Sequence, residues 1–474
     1  MLPTAIRYSL SVDQPSLHNH HCTAIIARPP QSSRPTQTST AQPAQPGPRD
    51  IVEDMTIRDL ASLATHLRAH PATFRDAVHR HFFAALPDAR QSFPMDASQA
   101  HRGLAESFAA AFDAPDLDEY FADLGRSHRR HGFPPDTYPI FATATRQALA
   151  EIDLADNVLQ QAGALVDDIV AFMSTAAHEA DVAGIPPAHM GQVVDVERVD
   201  AHTRIVRLEC GLPVDYEPGQ YFSVATTLMP GVWRTLAAAR PADGCGTLEF
   251  HVRDVSQLPG ASGYSRRFMM TRPGDQWTLG NPAGQLELDP QRESLIIAFG
   301  TAVATLRCLL FDAFDTHGEQ HAPVQALVIN DFPGQHYELA TLNSLDNLTP
   351  WLDVHAFARH NSDPHWLKPQ RARHRELQRV LADDQVFADG KDDNGKDPDS
   401  SASLSVEENP EETIAHYRDW SDHDVFVLGP ETEVNGMLEA FAAAGLDPDT
   451  LQTQSWGRTG VDTAPTAKSE THQS

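Results

Sequence analysis

The sequence predicts a multidomain chain: an all-α domain, then an antiparallel β-barrel, then an α/β doubly wound domain. Three observations carry this. From residue 55 to about 181, apolar residues recur at helical spacing with no strand signal. After Gly184-Ile-Pro-Pro187 the period changes to short alternating runs broken by turn residues. From Ser294 onward, wholly apolar runs alternate with helical stretches, as in a parallel sheet covered on both faces.

The helical stripes come in order. Ile57, Leu60, Leu63, Ala64 and Leu67 form the first, and Phe74, Val78 and Phe82 the second after Pro71. Leu104, Phe108 and Phe112 form a third. Tyr138, Phe141, Thr145, Leu149 and Ile152 form another, and Val158, Leu165, Ile169, Phe172 and Met173 the last. Strands are expected at 193–199, 203–209, around Leu248-Phe250-Val252, at 277–279 and at 286–288. In the last domain, strands are expected at 294–298, 324–329, 352–357 and 424–428, with helices at 302–314 and 431–444. Residues 1–50 are rich in Pro, Ser, Thr and Gln and read as a disordered leader. Residues 383–413 are rich in Asp, Glu, Gly and Ser and read as an acidic disordered insertion; 458–474 read as a free tail.

Composition excludes several functions. A formal net charge of −29 over 474 residues argues against electrostatic binding to nucleic acid or an anionic membrane. The four cysteines, Cys22, Cys210, Cys245 and Cys308, show no C-x-x-C spacing, which fits a reducing cytoplasm. No signal-peptide core and no run of about 18 apolar residues occurs. The protein is expected in the cytoplasm, without membrane or nucleic-acid partners.

One stretch concentrates chemistry. Phe121, Leu124 and His128 share one helix face, followed by Pro134-Pro135 and Tyr138. An imidazole on an apolar helix face before a break suits the proximal side of a haem pocket. The alternative is an ordinary surface or core histidine, in a chain with 24 of them.

The spacing of His128, Pro135 and Tyr138 resembles the flavohaemoglobin family, and so does the order of domains. Pro87-Asp88 to Phe93 resembles the turn leading to the family's haem-packing phenylalanine, and Gln99 stands for its distal glutamine. Tyr216-Glu-Pro-Gly-Gln-Tyr221 resembles a strand of ferredoxin-reductase-type flavin barrels. Arg234-Thr235-Leu-Ala237 stands at their flavin motif, and Gly263-Tyr264-Ser265 at their pyrophosphate turn. Gly300-Thr301 opens the nicotinamide loop, Gly429-Pro430 stands at the C-G-P position, and Trp456 at the C-terminal aromatic. The resemblance implies a globin-like haem domain (51–185), a FAD-binding barrel (190–290) and an NAD(P)-binding domain (291–457). It implies haem b, FAD and NAD(P)H as cofactors, with oxygen and nitric oxide as substrates. His128 would be the iron ligand, His79 and Gln99 distal, and Tyr138 proximal.

The chain departs from this family at chemical positions. His79 replaces the distal Tyr, and either donates a hydrogen bond to bound oxygen or binds iron itself. The acid expected beside the proximal imidazole falls at Ala177, with Glu179 the nearest carboxylate. Thr235 and Ala237 replace a stacking Tyr and a Ser; the losses predict flavin binding weaker by roughly one to two powers of ten. Ala302 and Thr305 alter the nicotinamide loop, and Leu428 replaces a Cys. Three readings stay open: a working flavohaemoglobin-type enzyme that converts nitric oxide to nitrate, a haem sensor or haem-binding protein with a vestigial reductase, or a flavoprotein that has lost haem.

Overall fold

The computed structural model describes residues 56–93, 101, 103–113, 118–132, 135–229, 231–256, 265–367 and 403–456. The expected leader and tail, Gln99, Pro134, Gly263 and Tyr264 lie outside these residues.

Six helices build the first domain: α1 (Leu60–Ala69), α2 (Pro71–Ala85), α3 (Leu104–Asp113), α4 (Asp118–His128), α5 (Tyr138–Leu149) and α6 (Asp156–Val182). Asp59 caps α1, its carboxylate accepting from the Ser62 amide at 2.7 Å. Pro71 opens α2 in its first turn, where its missing N–H costs nothing. The apolar stripes meet in one core: Leu63, Leu67, Phe74, Val78, Phe108, Phe112, Val158, Ile169 and Met173 are buried together. Helix α4 stops at His128, ahead of the expected proline break. A 3-10 turn over Arg129–His131 follows, and Gly132 closes it in the left-handed region at φ 75°.

Gly125 is where α4 touches α6. A Cβ there would lie 2.2 Å from the Met173 carbonyl oxygen and 2.6 Å from its Cα. The neighbour is backbone, so it cannot rotate away. Gly125→Ala is therefore expected to push the helices apart and cost about 1–3 kcal/mol, the range of an overpacked core. Urea unfolding of the variant checks this; an unchanged midpoint would refute the contact.

Beyond Pro186, six antiparallel strands form the barrel: β1 (His189–Arg198), β2 (Thr203–Cys210), β3 (Tyr221–Thr226), β4 (Trp233–Ala237), β5 (Thr247–Arg253) and β6 (Gln276–Ala283). Their order is β4-β3-β6-β1-β2-β5. The edges nearly close, through a bridge from Ala238 to Phe250 and the Ala239 amide donating to the Glu249 carbonyl at 2.8 Å. Phe222, Phe250, Phe268 and Trp277 fill the interior. The strand expected at 286–288 does not form. Those residues connect to the next sheet, and Leu286 is buried in that sheet's core instead of pairing its backbone.

The last domain is a parallel sheet of β7 (Ser294–Phe299), β8 (Val324–Asn330), β9 (Leu352–Ala358), β10 (Ser403–Val406), β11 (Asp424–Pro430) and β12 (Gln452–Trp456). The order is β10-β9-β8-β7-β11-β12. Every residue of β7 is buried, because helices cover both faces. Ile296 and Ala298 face the core under the helix Val303–His317. Leu295, Ile297 and Phe299 face the one under the helix Glu431–Ala443. The strand order reverses between β7 and β11, the crevice where doubly wound sheets take ligands.

Residues 383–402 of the expected acidic insertion lie outside the described residues. Its last part corrects the expectation: β10 and a helix over Pro410–Tyr417 occupy 403–417. Leu404 is fully buried and Ile414 nearly so, and β10 pairs in register with β9. Apolar burial and ladder hydrogen bonds outweigh the local charge. Among the described residues, no helix is long and apolar enough to cross a membrane.

Candidate functional site

Four imidazoles gather in the helical domain. His79 comes from the middle of α2, His101 from the approach to α3, His128 from the end of α4 and His131 from the turn after it. His79 Nε2 lies 2.9 Å from His101 Nδ1. The ring centres of His101 and His128 are 6.3 Å apart, and those of His128 and His131 are 5.7 Å apart. Aromatic rings wall the group: Phe93 stands edge-on to His79 at 5.5 Å and to His101 at 5.3 Å. Phe82, Phe83 and Phe141 extend that wall.

This apolar setting keeps the rings uncharged. Burial lowers His79 to about 4, helped by the Arg75 charge. Burial also lowers His101 to about 3, with His128 and His79 adding to it. His128 falls to about 3 through burial and then Arg130, and His131 is held well below its ordinary value for the same first reason. A neutral imidazole is the metal-binding form. No cluster of three or more His, Cys, Asp or Glu side chains among the described residues would hold a bare metal ion. A donor set of neutral imidazoles, with the His101 and His128 ring centres 6.3 Å apart inside phenylalanine walls, fits a haem iron.

The structure brings only some of the expected site residues together. His128 stands in the histidine cluster, at the end of α4. Phe93 stands edge-on to His79 and His101. His79 stands against His101, a residue outside the expected site. His101 lies three positions before α3, where no periodicity marks it. The Tyr138 hydroxyl donates to the Gly125 carbonyl at 3.3 Å, which ties it to α4 one turn before His128. Burial raises that phenol to about 12. Ala177 is buried in the helical core, so no carboxylate stands where the family places one.

The pocket touches the barrel. His131 meets the Trp233 ring edge-on at 5.4 Å, and the Arg130 guanidinium lies 5.2 Å over the same ring. Trp233 begins β4, directly before Arg234 and Thr235. In the ladder, Arg234 pairs with Val224 and Thr235 with Ser223, and Tyr221 pairs with Ala237. Arg234 Nη1 donates to the Trp233 carbonyl at 2.7 Å. Tyr221 packs against Gly284, where a Cβ would come within 2.6 Å of its ring. Ser265 opens a short helix, and its hydroxyl donates to Asp254 at 3.1 Å while accepting from the Val255 amide.

At the switch point, Gly300-Thr301 follow β7 and Gly429-Pro430 end β11. Pro430 pairs with Trp456 of β12, so these residues share one edge of the sheet. A Cβ on Gly300 would meet Arg253 Nη1 at 3.1 Å, so a guanidinium overhangs the loop. A cation beside a glycine loop and a helix start suits a phosphate-bearing dinucleotide. Ala302 is fully buried in the core.

No protein-family model and no curated protein matches the sequence. Among solved structures, the chain is similar to the flavohaemoglobin from Malassezia yamatoensis with bound FAD and haem. The TM-score is 0.61 at 14% identity, over 84% of this chain and 96% of that one. The flavohaem-like FAD/NAD-binding domain of a nitric oxide dioxygenase from Vibrio cholerae O1 biovar El Tor matches at a TM-score of 0.42 and 16% identity, over 56% of this chain and 100% of that one. A ferredoxin NADP+ reductase from Neisseria gonorrhoeae with bound FAD and NADP matches at a TM-score of 0.42 and 12% identity, over 58% of this chain and 99% of that one. With its helical region, antiparallel barrel and parallel sheet in that order, the chain has the flavohaemoglobin fold.

Proposed function

We propose that this chain is a flavohaemoglobin-type oxidoreductase of the cytoplasm. It uses NAD(P)H, holds haem b and FAD, and converts nitric oxide to nitrate with oxygen. The observation that carries this is the run of contacts from the histidine pocket to the flavin strand: His128 to His131 to Trp233, at 5.7 and 5.4 Å between ring centres. Haem and FAD would supply the one-electron chemistry. The protein's own part is binding, orientation and water exclusion. His128 would hold the iron, and the Tyr138 hydroxyl on the Gly125 carbonyl fixes the helix that presents it. Phe82, Phe83, Phe93 and Phe141 would keep water from the bound group. Tyr221, Arg234, Thr235 and Ser265 would hold FAD on the barrel. Gly300, Thr301, Gly429, Pro430 and Trp456 would receive the dinucleotide at the switch point, with Arg253 against a phosphate.

A visible spectrum of the purified protein, followed by nitric oxide consumption, tests the reading. Haem and flavin bands, with NAD(P)H- and oxygen-dependent removal of nitric oxide, are the expected result. Protein replete in both cofactors that consumes nitric oxide no faster than free haemin would overturn it. A second reading is a non-enzymatic haem-binding protein with a degenerate reductase. The Ser265 hydroxyl, already engaged by the Asp254 carboxylate, favours it, since a carboxylate there repels a pyrophosphate. A haem band without flavin, and no NAD(P)H oxidation, would select it.

A further inference from the structure

We propose that His101 is the imidazole opposite His128 on the iron, and that His79 is a positioning residue acting through it; this rests on the haem reading above. Three observations converge on His101. The first is separation. Imidazole nitrogens bind zinc at about 2.0–2.1 Å, and two rings in line on one first-row ion with that reach stand about 6 Å apart, centre to centre. The His101 and His128 rings are 6.3 Å apart and tilted by 39°.

The second is strain. His101 has φ 53°, and it is the non-glycine residue with positive φ among the described residues. Such a backbone persists only where the surroundings over-determine it. Here Phe93 and Phe141 flank the ring at 5.3 and 6.2 Å, and His79 fixes one of its nitrogens. The third is the choice of nitrogen. His101 Nδ1 is engaged with His79 Nε2 at 2.9 Å, which leaves Nε2 to meet the metal. A ligating histidine donates its other ring N–H to a partner that sets tautomer and orientation. His79 would be that acceptor, which moves it from the metal to the layer behind.

A sixth ligand from the protein makes the pocket self-closing. Oxygen or carbon monoxide must displace His101 before binding. The ferric protein is then six-coordinate and low-spin without added ligand.

The test uses the full chain reconstituted with haemin, with haem stoichiometry and spin state both measured. Paramagnetic resonance and resonance Raman report the spin state, and stopped-flow carbon monoxide binding reports access to the ferrous iron. The expected result is one haem per chain, low-spin, with His101→Leu keeping the haem but turning it high-spin and binding carbon monoxide faster. His79→Leu is expected to shift the low-spin signal, and His79→Gln, which keeps an acceptor, to restore it. Failure to bind haem at all overturns the haem reading itself. A bound haem that is high-spin in the parent protein, or still low-spin in His101→Leu, overturns the assignment of His101 alone. A low-spin signal abolished by His79→Leu but retained in His101→Leu gives the ligand role to His79. An unchanged signal in His79→Leu overturns the positioning role.

Discussion

His128→Ala is expected to strip most of the haem from the protein. His128 ends α4 on the face that carries Phe121 and Leu124, and its ring looks across 6.3 Å at His101. Its neutral ring offers a lone pair without competition from a proton at neutral pH. Loss of a partner behind a metal ligand costs about 10–100-fold in affinity, so loss of the ligand itself costs more. The Soret band of the variant should fall to a small fraction of the parent's after gel filtration, while far-ultraviolet circular dichroism stays unchanged. Free imidazole, entering the space left by the side chain, should restore part of it. A variant that keeps its full haem and the same spectrum would show that His128 is not the ligand.

Glu249→Gln is expected to destabilise the joint between the barrel and the parallel-sheet domain by about 3–5 kcal/mol, the cost of removing one member of a buried ion network. Glu249 is 2% exposed on β5. Its carboxylate accepts from Arg207 Nε at 2.7 Å and from Arg307, which reaches over from the helix Val303–His317. His251 Nε2 lies 3.6 Å away, too far for a hydrogen bond but near enough to favour the anion. Burial alone would raise the Glu249 pKa. The His251 contact and the Arg307 and Arg207 charges outweigh it and hold the carboxyl well below its ordinary 4.5.

A carboxyl lowered in the folded state stabilises the protein fully above the unfolded value. That contribution fades as pH falls below about 4.5 toward the folded value. The stability gap between parent and variant in urea should therefore be widest near neutral pH and narrow below that point. A gap that is absent at pH 7, or that widens in acid, would refute the role given to Glu249.

Much of the helical domain was legible because its signal is local. Phe74, Val78 and Phe82 mark α2 by spacing alone, and a helix with that stripe must bury it. The central strands were legible for a related reason. Ser294 to Phe299 can only be satisfied with apolar cover on both faces. Edge elements were not. Leu404 is one buried residue in a four-residue strand, too short for a period to show. The helix Leu339–Leu348 carries a stripe at helical spacing, Leu339, Leu342 and Leu345, and stands outside the expected helices.

By itself, the sequence determined the three-part order, the turn to alternation after Pro187 and the presence of His128 on an apolar face. Each depends on neighbours within a few residues, whose spacing dictates which side is buried. Only the tertiary structure decided which groups meet. His101 lies 22 residues from His79 and is placed against it, and against His128, by the packing of three helices. Glu249 meets Arg307 across 58 positions because a barrel edge closes beside the first helix of another domain. No local periodicity encodes such meetings. They follow from burying whole faces at once, and that packing selects which polar side chains are enclosed together.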